Sequence, residues 1–402
     1  MVENTIQGSM KGAVELELVE ALRDEAKLLG NWMMKRALPL WSSAGMHESG
    51  AAWEALDFAG HPISADIVRV RVLARQIFVF STGFELGFEP ERCKQLVATL
   101  FDILFQHCRR NDGLFGRSYS LSKRGLVDRM FDLYDTAFAL LAMARARGLL
   151  ENAEVDNAID LTLEALDKKA RHSEGGYVEA DAPNELRRQN PHMHLFESLL
   201  ELRQSGYAGD LIPRIDSLLD FIDLKFFDQN LGIVRETTAV TDVKTAEFEP
   251  GHSMEWVRLL SLHAQSLNRD RHPLAQRLYA VALPTLDANG YACMLTSTAG
   301  VSPDPSRRLW SQTETLCAHL TMALEDSTYA KADAVKAAVK LCRGIRKDWL
   351  EPAFPGGWHD HFTAEGALIA GDMPSSTGYH LFGAIAMLLG VCELGHARDC
   401  NP

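Results

Sequence analysis

Twelve stretches of helical periodicity, broken by a glycine turn about every sixty residues, constrain this chain more than any other feature. Between 14 and 29, Val14, Leu16, Leu18, Leu22 and Leu28 recur among Glu, Arg and Lys, as on an amphipathic helix. Similar spacing runs through 64–84, 90–108, 131–148, 151–171, 190–205, 208–226, 251–268, 270–285, 309–325, 327–347 and 375–395, and few segments alternate as strands do. Glycine followed by an aromatic or apolar residue marks the turns: Gly50 to Trp53, Gly113 to Phe115, Gly175 to Tyr177, Gly232 to Val234, Gly290-Tyr291 and Gly356 to Trp358. The interval matches two helices and their loops. Six such units predict an all-α ring of helical hairpins, inner and outer helices alternating. The apolar last helix, Tyr379 to Leu394, fits a closed ring better than an open solenoid.

No linker or low-complexity tract interrupts the pattern, so 14–396 reads as one domain. Residues 1–13 read as an N-terminal extension in which Gly8-Ser9-Met10 resembles a cloning remnant. A net charge of −13 disfavours nucleic acid or an anionic membrane as partner, since both select a basic face. No apolar run approaches the roughly 18 to 20 residues that span a bilayer, and the first ten residues lack the layout of a secretory signal. The seven cysteines are scattered and form no CxxC pair. They read as free thiols in a reducing cytoplasm, with no metal signature among them.

Four clusters carry candidate chemistry. In Asn190-Pro-His-Met-His194-Leu-Phe-Glu197, Pro191 suits a first helical turn and Asn190 is available as its cap. His194 and Glu197 share a face there, while His192 points elsewhere. Two histidines and a glutamate also raise the question of a metal, but the spacing is not HExxH and no third ligand is evident. In Pro250-Gly-His252-Ser-Met-Glu255-Trp256, His252 and Glu255 lie at i, i+3, where the carboxylate can hold the imidazole. His380 follows Thr377-Gly-Tyr just inside a helix start, where the positive helix end favours a neutral imidazole able to act as a base. Arg71 and Arg75 are four apart on an apolar helix, so at least one is expected to be buried and to need a partner. Each cluster also has a purely structural reading: a satisfied core histidine, an exposed His–Glu pair, a buried salt bridge.

Taken together, Asn190 to Glu197, Pro250 to Trp256, Leu309-Trp310-Ser-Gln312-Thr-Glu314 and Thr377 to His380 resemble the N-acylglucosamine 2-epimerase superfamily. That superfamily includes mannose and other aldose–ketose isomerases and cellobiose 2-epimerases. The resemblance runs from the Arg75 helix to the His380 helix and implies an (α/α)6 barrel that uses no cofactor and no metal. It implies His380 and His252 as the acid–base pair, with Glu255 orienting His252. Arg75 would steady charge on the sugar's O1 and O2. His194 and Asn190 would hold hydroxyls, and Trp310 would be a stacking wall. Beyond the resemblance, Trp358 is expected to line the same cavity. One position departs: cellobiose 2-epimerases carry tryptophan five residues before the last histidine, and Ser375 stands here. A monosaccharide substrate fits better.

These roles match proton transfer at C2 of an open-chain aldose through a cis-enediolate. Interconversion of D-mannose and D-fructose is the favoured expectation. The alternatives are 2-epimerisation of an N-acylglucosamine or glucose-type sugar, a glycoside hydrolase using Glu314, Asp360 or Glu365, and a binding protein without activity. The absence of a Gly-rich phosphate cradle favours a free sugar. Oligomeric state stays open, with a homodimer as one arrangement.

Overall fold

In the computed structural model the described residues are 13–181, 186–239, 246–324 and 331–392. The expected extension lies outside them apart from Ala13, as do Cys400 and the last residues of the expected domain. Thirteen α-helices occur among the described residues: α1 (Ala13–Trp32), α2 (Leu38–Trp41), α3 (Val70–Glu85), α4 (Pro90–Asp102), α5 (Leu133–Ala146), α6 (Asn152–Ala165), α7 (Gln189–Gln204), α8 (Ile212–Lys225), α9 (Pro250–Leu267), α10 (Leu274–Ala282), α11 (Leu309–Leu324), α12 (Lys331–Gly344) and α13 (Gly378–Val391). Apart from the single turn of α2, they are the twelve expected from periodicity.

Burial separates the helices into two rings. On α4 only Cys93, Val97, Leu100 and Phe101 are buried, one stripe at helical spacing. On α7 and α11 nearly every residue is buried, polar ones included. The mostly buried helices α3, α5, α7, α9, α11 and α13 pack each against the next, and α13 packs back on α3. That contact closes the (α/α)6 barrel. The helices α4, α6, α8, α10 and α12 lie outside, each against the inner helix before it, and α1 lies against α12 and α13.

All six glycine turns sit where an outer helix returns to the next inner one, with φ between 66° and 93° at Gly50, Gly113, Gly175, Gly176, Gly232, Gly290 and Gly356. These connections converge on one end of the barrel, where the inner helices begin. They carry short antiparallel ladders that the sequence did not reveal: Ile67–Arg69 with Ser118–Ser120 and Gly125–Asp128, Ala55–Leu56 with Met373–Pro374, and Arg307–Arg308 with His361–Phe362. Strands of two to four residues are too short for alternation to register.

The turn at Gly356 also overturns one expectation. Trp358 does not line the cavity at the helix starts: it is fully buried and stacked on Trp41, with ring centroids 4.4 Å apart, while Trp41 Nε1 donates to Gly356 O (3.1 Å). Its place after a turn glycine makes it a core anchor, like Phe115 and Tyr177. A Cβ on Gly356 would lie 2.4 Å from Arg36 O, whereas one on Gly290 meets nothing within 4 Å. Both backbones are left-handed, so alanine at either costs about 1–3 kcal/mol in strain. Gly356→Ala should lower the urea midpoint further than Gly290→Ala. Equal midpoints would show that the backbone contact with Arg36 relaxes freely.

Candidate active site

The first turns of the inner helices enclose a cavity of about 440 Å³ at the long-loop end of the barrel. Arg75 from α3, Tyr134 from α5, Asn190 and His194 from α7, His252 and Glu255 from α9, Trp310 from α11 and His380 from α13 all line it. Of the eight residues expected to act on or line the sugar site, Trp358 alone lies outside.

Local structure explains how several of them reach it. Helix α7 begins at Gln189 rather than after a capping Asn190, and Asn190 Oδ1 is buried without a hydrogen-bond partner. The expected cap is therefore free to face the cavity. Gly251 in the first turn of α9 lets the Trp310 ring pack against the helix, since a Cβ there would sit 2.8 Å from the ring. The Trp310 ring lies 5.0 Å from that of His252 and 5.8 Å from that of His380. Arg75 is buried; Nη2 donates to Tyr134 OH (2.7 Å) and Nη1 to Ser376 O (3.1 Å), with the guanidinium 4.1 Å above Phe138. Among the described residues it has no ion-pair partner, whereas Arg71 is paired with Asp135 (3.0 Å).

The three histidines at the cavity are each held by a carboxylate at Nδ1. His380 bonds Glu314 (2.7 Å), His194 bonds Glu197 (3.0 Å) and His252 bonds Glu236 (2.9 Å), with Glu249 at 3.4 Å. A carboxylate only accepts, so Nδ1 carries a proton in each case and Nε2 is left for the cavity. His192 Nδ1 donates to Arg188 O and Nε2 accepts from Tyr177 N, which makes it a core residue.

Glu255 does not orient His252, contrary to the sequence reading. Its oxygens make no hydrogen bond, and its nearest imidazole is His194 (3.9 Å). Glu255 lies beside His194 instead, and Glu236, from the preceding loop, reaches His252. Glu255 also completes two compact acid–histidine groups, one with His194 and Glu197 and one with Glu314 and His380. A third candidate ligand that the local spacing did not show is thus supplied by the fold.

Electrostatics splits the two facing histidines. Burial lowers the pKa of His380 from the ordinary imidazole value, more than Glu314 raises it, and the ring is neutral. Burial acts on His252 too, but Glu236 and Glu249 outweigh it and hold the group up at about 10. Both occupy the third position of a helix, so the carboxylates, not the helix dipole, decide the difference. Burial takes His194 down to about 4, so it too is neutral. The site therefore presents one imidazole base and one imidazolium acid across a shared indole wall.

A family model for N-acylglucosamine 2-epimerase (GlcNAc 2-epimerase) matches residues 52–384. The chain belongs to that family. A mannose-6-phosphate isomerase of Rhizobium meliloti is 30% identical over 394 residues, covering 94% of this chain and 97% of the relative. Among solved structures, a D-mannose isomerase superposes with a TM-score of 0.78 at 18% identity, covering 90% of this chain and 97% of that one. A cellobiose 2-epimerase from Spirochaeta thermophila superposes at 0.80 and 18%, covering 92% and 97%. These two likenesses bear on the fold. At the position where cellobiose 2-epimerases were expected to differ, Ser375 is buried and donates to Trp53 O (2.6 Å), facing away from the cavity.

The split protonation has a measurable signature. Because His252 is protonated below about 10, kcat/KM should fall on the alkaline side as pH rises through that value. Removing the carboxylate that raises it, by Glu236→Gln, should move this limb toward neutrality. An unmoved limb would mean that His252 does not supply the essential proton.

Proposed function

We propose that the protein is an aldose–ketose isomerase that interconverts D-mannose and D-fructose, using no metal. The observation that carries this reading is the pair His380 and His252, both within 6 Å of the Trp310 ring and held in opposite protonation states by their surroundings. Neutral His380, its Nδ1–H fixed by Glu314, takes the C2 proton of the open-chain aldose at Nε2. Charge then develops on O1 and O2 as the cis-enediolate forms, and Arg75, buried without a carboxylate of its own, is the cation placed to meet it. His252 donates to the ring oxygen when the sugar opens and is reloaded by the proton leaving the O1 hydroxyl; in the second half the proton held by His380 returns to carbon as the O2 proton passes to O1. Delivery to C1 gives the ketose. Asn190 and His194 hold hydroxyls, and Trp310 stacks on the sugar face.

The metal-free reading is supported by Arg258, whose guanidinium already stands beside Glu197, Glu255 and Glu314 and is the counter-ion of the first and last. Imidazolium at His252 likewise cannot ligate through its protonated nitrogens. Dialysis against a chelator should leave turnover unchanged.

A phosphorylated sugar is a second reading, favoured by the cavity's charge and by the R. meliloti relative's name. Arg69, Arg71, Arg75, Arg188 and Arg308 line the cavity, against Asp132, Glu249 and Glu255 among its described carboxylates. Arg188 and Arg308 are half exposed at its mouth, paired with Glu179 (2.7 Å) and Asp360 (2.7 Å). This runs against the free-sugar expectation drawn from the missing glycine cradle. Side-by-side kcat/KM values for mannose and mannose 6-phosphate decide between them.

His380→Ala should cut turnover by on the order of 100- to 10,000-fold, the usual loss with a general base, in a protein that stays folded. Run in D2O, the wild type should place solvent deuterium at C1 of the ketose or C2 of the aldose, read by NMR. Near-normal turnover of His380→Ala would reassign the base. A 2-epimer as the main product would replace isomerisation with epimerisation on the same residues.

A further inference from the structure

Beneath the sugar cavity lies a second one of about 320 Å³, lined by the later turns of the same inner helices. Phe78, Leu262, Leu324 and Met387 supply its apolar wall, and Arg145 and Glu201 lie in it as well. His380 lines both cavities, and between them Glu197, Glu314, Arg258 and Tyr379 form a thin polar floor. Arg258 follows Glu255 by three residues on α9, and its side chain is one-fifth exposed, towards the lower cavity. Nη2 donates to Glu197 Oε1 (2.6 Å), Nε is 3.7 Å from Glu314 Oε2, and Nη2 is 4.0 Å from Glu255 Oε1.

The other ends of those carboxylates face the sugar site. Glu197 Oε2 accepts from Tyr379 OH (2.5 Å) and from His194 Nδ1 (3.0 Å), and Glu314 Oε1 holds His380 Nδ1. Glu314 Oε2 has no hydrogen-bond partner, so Arg258 is the cation facing it. We propose that Arg258 is a positioning residue for the acid–base site, which grips the carboxylates of Glu197 and Glu314 from below and through them fixes the rings of His194 and His380. The proposal rests on the reading of His380 as the base. Burial pushes Glu197 and Glu255 upward alike, yet they part. At Glu197 the Arg258 guanidinium and the His194 imidazole together more than offset burial and hold the carboxyl below its usual range, while Glu255, facing Glu314 and Glu197 as well, is left well above it. A neutral Glu255 beside an ionised Glu197 is the charge pattern one guanidinium sustains in a closed interior.

Access from below makes this testable. Arg258→Ala opens a guanidinium-sized space continuous with the lower cavity, away from the sugar. Its kcat should fall on the order of 10- to 100-fold, as for lost supports of a reacting group, with KM changed less than threefold. Guanidinium chloride at low millimolar concentration should restore at least a third of the lost kcat, saturably, and urea should not. Arg258→Lys should retain more kcat than Arg258→Met. If the single variants do not fold, Arg258→Met/Glu197→Gln removes both charges of the closest pair, and its kcat should be equally depressed. Wild-type kcat in folded Arg258→Met or in the double variant, or an inactive Arg258→Ala that guanidinium leaves inactive, overturns the proposal. His380→Ala run in parallel separates the two ideas. An inactive His380→Ala beside a fully active Arg258→Met sinks only the role of Arg258, while an active His380→Ala sinks the base assignment on which it stands.

Discussion

An inner helix of a closed ring has no side that faces water. Helices α7, α9 and α11 bury almost every residue, yet among them are His194, Glu197, His252, Glu255 and Glu314. Each ion taken into such an interior costs several kcal/mol unless it is neutralised and hydrogen-bonded there. The charged groups near the axis are therefore obliged to settle one another's protonation. Glu314 and Glu197 take imidazole N–H groups, Arg258 answers the carboxylates, and Glu255, left without a hydrogen bond, is driven to its neutral form. Acid–base chemistry at this site follows from closure of the ring.

The two ends of the barrel divide the labour. Connections from inner to outer helices are short, as at Leu86 to Glu89 between α3 and α4. The return connections are long, hold the glycine turns and strand ladders, and bring Glu236, Arg308 and Ser376 over the helix starts. Substituents for substrate recognition thus come from loops, and the proton-handling groups come from rigid helices. No described helix is long and apolar enough to cross a membrane, and the six described cysteines are unpaired.

Much of the helical plan was legible because periodicity is a local property: apolar residues three and four apart must share a face wherever the helix lies. Left-handed glycines were legible for a similar reason, since the turn needs them whatever it packs against. The misses share the opposite cause. Glu255 satisfies the spacing for a contact with His252, but i, i+3 neighbours on a fully buried helix diverge to whichever partners the ring supplies. Glu236, sixteen residues away from His252, carries no local mark of its role, nor does Tyr134 under Arg75. Trp358 had the composition of a sugar-stacking residue and the position of a core anchor, and only packing against Trp41 separates the two.

By itself, then, the chain's sequence determined the twelve barrel helices and their approximate extents, their alternation and the identity of the cavity's histidines, arginine and indole. These rest on spacing and on motifs contained within single helices. Tertiary structure decided which carboxylate serves which histidine, and so which imidazole is neutral and which is charged. A protonation state depends on burial and on charges a few ångströms away, and for His252 and His380 those charges arrive from other helices and loops, Glu314 standing 66 residues from His380.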